Sequence, residues 1–208
     1  MTSFTAPVVT RRGSADPAAP LVVLLHGRGS EEQQIASLAV HLPPHLAYAA
    51  VRAPIAEGGG YAWFENRGIG RPVAESLAET MAWFRGWLDG ETAAAGRAVL
   101  LVGFSGGAAF AGGLLLADPA RWAGVAVLLG TLPFDAGVPV DAGRLAGVPV
   151  LVARGEQDRV IPAELLDRTW TYLHEESGAR LTAHLDPGGH GLTNATLDAL
   201  HGWLAGTV

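Results

Sequence analysis

The chain contains no cysteine and no lysine; all fourteen basic residues among its 208 are arginine. Without cysteine there is no disulfide, no thiolate metal site and no cysteine nucleophile. Without lysine there is no Schiff-base amine, no P-loop lysine and no Ser-Lys dyad. Charge of either sign is sparse, at 16% of residues, and the balance of −6 opposes nucleic-acid phosphates and anionic bilayers. Neither nucleic acid nor a membrane is expected as a partner. Met1 to Asp16 lack the basic stretch and apolar core of a secretory signal, which gives the expectation of a cytoplasmic protein.

Apolar residues are abundant, at 49%. That is enough to bury a sizeable core, and the length calls for one domain over residues 1–208. The segment from Ala98 to Ala117 is uncharged over 20 residues, the length of a membrane span, but it carries five glycines and a central Phe104-Ser105-Gly106 turn. A buried strand followed by a buried helix explains it better.

Val- and Leu-rich runs at Leu21–Leu25, Val99–Val102, Val125–Leu129 and Val148–Val152 are nearly continuous in hydrophobicity, the pattern of strands buried on both faces. Weaker strands are expected at Ala47–Arg52 and Arg180–Leu185, and Val8–Thr10 would add an antiparallel edge. Between them lie helix-period segments: Glu31–Leu42, Val73 to Leu88, Gly106–Leu116, a stretch with Leu166, Trp170 and Leu173, and Leu192–Leu204. Pro162 fits the first turn of the fourth, where its missing N–H costs nothing. Such alternation predicts a mostly parallel sheet covered by helices on both faces. Gly58-Gly59-Gly60 reads as a mobile loop, and fewer than twenty residues separate Leu129 from Val148, too few for a helical cap and its connections.

The strongest local signal is Gly103-Phe104-Ser105-Gly106-Gly107, a G-x-S-x-G match between a predicted strand and a predicted helix. A serine at the tip of that turn is a candidate nucleophile, with the helix N-terminus behind it favouring negative charge. Glycine is abundant, so the match gains its weight from this context. A nucleophile of this kind needs a histidine base and an acid, each in a loop after a later strand. Asp158 follows the strand Val148–Val152, and His190 follows Arg180–Leu185 in Asp186-Pro187-Gly188-Gly189-His190-Gly191. Glu156 is a rival acid, and Asp158 also suits a plain turn or cap before Pro162. His174 and His201 fall in predicted helices and His184 in a strand, which leaves His190 as the loop histidine.

Two backbone N–H groups must face the oxygen that becomes negative during acyl transfer. Gly106 supplies one. His26-Gly27-Arg28-Gly29-Ser30 follows Leu21–Leu25, and its Arg28 N–H is the candidate for the second, the alternative being a glycine turn that caps a helix at Ser30.

These residues resemble the phospholipase/carboxylesterase family of α/β-hydrolases, which also holds the acyl-protein thioesterases and borders on the dienelactone hydrolases. The resemblance rests on Leu24-Leu25-His26-Gly27-Arg28-Gly29, Ala62-Trp63-Phe64, Gly103-Phe104-Ser105-Gly106-Gly107, Asp158-Arg159-Val160-Ile161-Pro162 and Gly189-His190, in the family order. It implies an α/β-hydrolase fold without a cap domain, a triad of Ser105, Asp158 and His190, oxyanion donors at Arg28 and Gly106, and an acyl pocket touching Trp63 and Leu132. The thioesterase branch commonly has glutamine where this chain has Gly106, and the dienelactone branch has cysteine where it has Ser105. A serine carboxylesterase acting on small esters is the reading that remains, with no cofactor and no metal. The alternatives are a lysophospholipase or acyl thioesterase, an acyltransferase or perhydrolase with the same triad, and a non-catalytic binding protein on this scaffold.

Other signals are weaker. His41-Leu42-Pro43-Pro44-His45 has ligand-like spacing, but two prolines prevent the helix that would align the rings. Gly27-Arg28-Gly29 has Glu32 where a dinucleotide fingerprint needs its third glycine. Trp83 and Trp87 share a predicted helix, where core packing or an oligomer face is the default, so a homodimer stays open.

Overall fold

A computed structural model describes residues 4–92 and 96–208. The strands run β1 Val9–Gly13, β2 Leu21–Leu25, β3 Ala47–Val51, β4 Ile55–Glu57, β5 Gly60–Ala62, β6 Val99–Phe104, β7 Gly124–Leu128, β8 Pro149–Gly155 and β9 Arg180–Asp186. The α-helices are α1 Glu32–Ala36, α2 Ala74–Thr92, α3 Gly106–Ala117, α4 Ala163–Thr171 and α5 Asn194–Thr207. Seven strands form one sheet in the order β1-β3-β2-β6-β7-β8-β9, with β1 antiparallel to β3 and every other pairing parallel.

The continuous apolar runs are explained by two cores, one on each side of the sheet. Leu21, Val23 and Leu25 of β2 point to the side covered by α2, α3 and α4, where Leu77, Phe84, Phe110 and Leu165 pack. Val22 and Leu24 point to the other, where Ile35 of α1 and Leu200 and Leu204 of α5 pack. Side chains alternate across a strand, so a strand with helices on both sides has no polar face. The uncharged 20-residue stretch is β6 followed by α3, and among the described residues no helix is long and apolar enough to cross a membrane.

Three sequence expectations need correction. The helix expected over Glu31–Leu42 is one α turn, Glu32–Ala36, continued as a 3-10 helix over Ser37–His41. Pro162 stands at the N-cap of α4, not in its first turn, and its carbonyl accepts from the N–H groups of Leu165 and Leu166. The glycine triplet is a hairpin turn rather than a loop: Gly58 and Gly59, at φ of 57° and 86°, form the two-residue turn of the β4–β5 hairpin. Two successive positive φ values mark a type I′ hairpin turn, and glycine adopts them without steric cost. The hairpin is tied down, because Tyr61 and Ser30 bridge and the Gly29 N–H donates to the Tyr61 carbonyl at 2.9 Å. Between β7 and β8 the chain runs through turns only, with no helical cap.

Candidate active site

Ser105 sits between the end of β6 and the start of α3 with φ 54° and ψ −114°. For a residue with a Cβ this backbone is strained, and it persists only when the surroundings over-determine it. The surroundings here are backbone. The Ser105 N–H donates to the Leu128 carbonyl at 2.9 Å, and the Ser105 carbonyl accepts from Ala108 at 3.0 Å. A Cβ on Gly103 would lie 2.5 Å from the Gly107 carbonyl carbon and 2.7 Å from the Ala108 Cα, so the turn closes only without one.

The candidate acid and base arrive from β8 and β9, the last two strands of the sheet. β8 and β9 are paired to their last residues, Gly155 with Asp186, so the loops leaving them emerge side by side. They are bonded to one another as well: Glu156 N–H donates to the Asp186 carbonyl at 2.8 Å, and Gln157 N–H to the Gly188 carbonyl at 3.0 Å. One loop carries Asp158 and the other His190. Asp158 Oδ2 accepts from His190 Nδ1 at 2.7 Å, while its Oδ1 accepts from the N–H groups of Val160 and Ile161 at 2.8 and 3.1 Å. A carboxylate only accepts, so the imidazole proton belongs on Nδ1 and Nε2 is left to accept from the Ser105 hydroxyl, 2.8 Å away. The Asp158 side chain is fully buried and that of His190 is 15% exposed, which leaves the ring open only towards the cleft. Glu156, the rival acid, lies exposed on the same loop. His174 and His201 bond to backbone carbonyls of Trp170 and His41, away from the serine.

The candidate oxyanion donors also meet. A Cβ on Gly106 would stand 3.2 Å from the Arg28 nitrogen, so the two N–H groups are neighbours, and among the described residues neither has an acceptor. His26, quoted in the motif but given no role by sequence reasoning, braces this loop. Its Nδ1–H donates to the Gly27 carbonyl at 2.8 Å and its Nε2 accepts the Ala53 N–H at 3.0 Å. The Gly27 carbonyl belongs to the same peptide as the Arg28 N–H, so the buried ring helps to fix the plane of the donor. Burial pushes His26 below its ordinary imidazole value, against the bond to the Gly27 carbonyl, which keeps the ring neutral.

The serine opens onto a cleft of about 540 Å³ whose lining is mostly apolar. Ile35, Leu38 and Leu192 lie along it, as do Phe64, Ile69 and Ile161. Trp63 and Leu132, expected to touch the acyl pocket, do not line it. Trp63 is buried, stacked on Phe110 at 4.5 Å with its Nε1–H donating to the His26 carbonyl, and Leu132 is buried against Gly112 of α3. Their sequence neighbours Phe64 and Thr131 face the cleft instead. Arg28 is the cleft's arginine, and its guanidinium pairs with Glu57 of the β4–β5 hairpin.

The sequence pattern of the Phospholipase/Carboxylesterase family matches residues 7–207. The chain belongs to that family. It is therefore a hydrolase of the α/β-hydrolase fold and carboxylesterase type. The Bacillus subtilis (strain 168) protein named "Putative hydrolase MhqD" is 27% identical over 201 residues, 94% of this chain and 96% of that one. Among solved structures, the carboxylesterase of Bacillus cereus superposes with a TM-score of 0.85 at 22% identity, covering 97% of this chain and 95% of that one. A carboxylesterase from Mesorhizobium loti gives 0.79 at 26% identity over 90% and 88%. The first of these two shows the shared fold alone.

Proposed function

We propose that this protein is a serine carboxylesterase that hydrolyses small carboxylic esters through an acyl-enzyme intermediate. The observation that carries the reading is the continuous chain Asp158–His190–Ser105, with contacts of 2.7 and 2.8 Å, opening on a mostly apolar cleft. Ser105 Oγ attacks the ester carbonyl carbon as His190 Nε2 takes its proton, and the carbonyl oxygen becomes an oxyanion facing the Arg28 and Gly106 N–H groups. The tetrahedral adduct collapses, the C–O bond to the alcohol breaks, and the imidazolium returns the proton to the departing oxygen. Water then repeats the sequence on the acyl-serine, its proton passing to His190 and finally to Ser105. Asp158 accepts throughout and stabilises the imidazolium without itself becoming protonated.

Apolar walls suit a short acyl chain and an apolar alcohol. The test is labelling by a fluorophosphonate probe together with turnover of a graded ester panel, in the presence and absence of alcohol and peroxide acceptors. Labelling and hydrolysis should both vanish in Ser105→Ala, with a rate loss of ~10⁴-fold or more. A Ser105→Ala variant that keeps a few per cent of the rate, purified free of host esterases, would refute the assignment. Acceptors that capture most of the acyl group would move the protein to the acyltransferases.

A further inference from the structure

Six of the seven residues of β9 are exposed or half-buried, as suits the edge strand of the sheet. The seventh, Asp186, is 1% exposed. A carboxylate is buried only where partners replace the water it gives up. Asp186 has them: Oδ1 accepts the Gly188 N–H at 2.7 Å, and Oδ2 accepts the Thr196 hydroxyl at 2.9 Å and the Thr193 hydroxyl. These bonds, that from Thr193 foremost, hold the carboxyl below its ordinary value although burial pushes it up. His184 Nε2 lies 3.8 Å from Oδ2.

The partners bracket His190. Gly188 stands two residues before it, Thr193 three after, and Thr196 one helical turn further along, in α5. The loop between is Pro187-Gly188-Gly189-His190-Gly191, whose three glycines offer no side chain with which to brace themselves. A Cβ on Gly188 would lie 2.9 Å from Asp186 Oδ1, so the carboxylate seats directly against the loop backbone. Thr193 is bound in both directions, because its hydroxyl oxygen also accepts the Thr196 N–H as the N-cap of α5.

We propose that Asp186 is a positioning residue for His190: one buried carboxylate gathers the two ends of the glycine-rich base loop and fixes where the imidazole stands between Asp158 and Ser105. The inference rests on the reading of His190 as the general base. A base held in two hydrogen bonds at once tolerates little displacement, and misplacing a catalytic group by about 1 Å can cost ~100-fold in rate. Cutting the tether frees the glycine-rich loop to shift, and of the cleft lining only His190 and Leu192 ride on it.

The experiment compares the wild type with Asp186→Asn, Thr196→Val and Thr196→Ser in steady-state ester hydrolysis, thermal unfolding and proton NMR of the far-downfield His190 Nδ1–H resonance. Asp186→Asn should lose up to ~100-fold in kcat with a much smaller change in KM, since of the cleft lining only His190 and Leu192 lie on the loop. The downfield resonance should broaden or disappear well below the unfolding temperature. Thr196→Val removes one hydroxyl of the clamp and leaves the Thr193 cap in place, so it should show a smaller loss that Thr196→Ser restores; this pair carries the test if Asp186→Asn does not fold. Variants that fold, keep the resonance and retain kcat within about twofold of wild type would overturn the proposal, since a lost tether must appear in the turnover step. A fall in thermal stability with resonance and kcat unmoved would also overturn it, leaving Asp186 a structural cap. A wild-type protein that turns over no ester and takes no fluorophosphonate would instead sink the esterase reading.

Discussion

Replacing Gly107 by alanine should cost both stability and turnover, because the space a methyl group needs is occupied by backbone. A Cβ there would overlap the Leu25 carbonyl oxygen and lie 2.6 Å from the Leu25 carbonyl carbon and 2.7 Å from the His26 oxygen. None of these atoms can rotate away as a side chain could. Overpacking of a core costs ~1–3 kcal/mol when side chains give way, so a backbone overlap belongs at the upper end, about 3 kcal/mol. For a chain of this size that is a melting-point fall of ~6–12 °C. Any relief must come from moving the end of β2 and the following loop, which carries the Arg28 N–H. Loss of one oxyanion donor costs ~100-fold or more in kcat. Gly86, mid-way along α2, is the control: a Cβ there meets nothing within 4 Å, and its φ is not positive. Alanine at that site should stabilise the helix by ~0.5–1 kcal/mol and leave turnover alone. Urea and thermal unfolding with kcat measured on the same samples decide the matter. Equal melting points for Gly107→Ala and wild type, with full activity, would refute the steric argument.

Asp158→Asn should lower kcat by ~10⁴-fold, since the amide stabilises neither the imidazolium nor its tautomer, whereas Glu156→Gln on the same loop should change it little. The reverse ranking would transfer the acid role to Glu156. Acidification should destabilise the fold in two steps. His26 is depressed chiefly by burial, so as pH falls below 6.5 the unfolded chain takes up a proton there first and stability drops. For Glu32, burial pushes the carboxyl up but the Arg52 guanidinium, a backbone hydrogen bond and His26 together outweigh it, and Asp186 is held down by Thr193 foremost; both are thus below 4.5 and 3.8, respectively. Their contribution is full above those values and is lost as pH falls through the folded ones. Urea midpoints measured from about pH 7 to about pH 3 should fall monotonically, and stability that rises on acidification to pH ~5.5 would contradict the burial of a neutral His26. Finally, a lidless cleft of about 540 Å³ should favour short, water-soluble esters and show no activation at an interface, so a rate jump on crossing into emulsion would argue for a lipase or lysophospholipase.

The layered sheet was legible because burial on both faces leaves its mark on composition: Leu21–Leu25 has no polar residue, and its limits match those of β2. That Ser105, His190 and Asp158 would come together was legible for a different reason. Few residue types can serve as nucleophile, base and acid, and their loops must follow strands, of which the apolar runs marked β6 and β8 while β9 was only a weaker expectation. The β4–β5 hairpin escaped because its strands are three residues each, too short for a period to register, and only its glycine turn stands out. The continuation of α1 as a 3-10 helix reflects a choice of hydrogen-bond partner that apolar spacing does not encode.

The cleft was illegible at the level of single residues. Trp63 and Phe64 are adjacent and both apolar, so nothing in Ala62-Trp63-Phe64 says which turns to the core and which to the cleft. That is decided by distant partners, the face of Phe110 and the carbonyl of His26, which claim the indole. The same holds at Thr131-Leu132, where the hydroxyl of Thr131 meets Thr169 and Leu132 fills the space beside Gly112. Apolar residues are interchangeable in pattern, and specificity is written in their direction, which tertiary packing sets. Asp186 lies between these extremes. A polar residue closing a strand, just before a loop of glycines that holds a histidine, is visible in sequence, but it also fits an ordinary turn. Only its burial separates a tether from a turn former, since a turn aspartate keeps its water and this one has exchanged it for Gly188, Thr193 and Thr196.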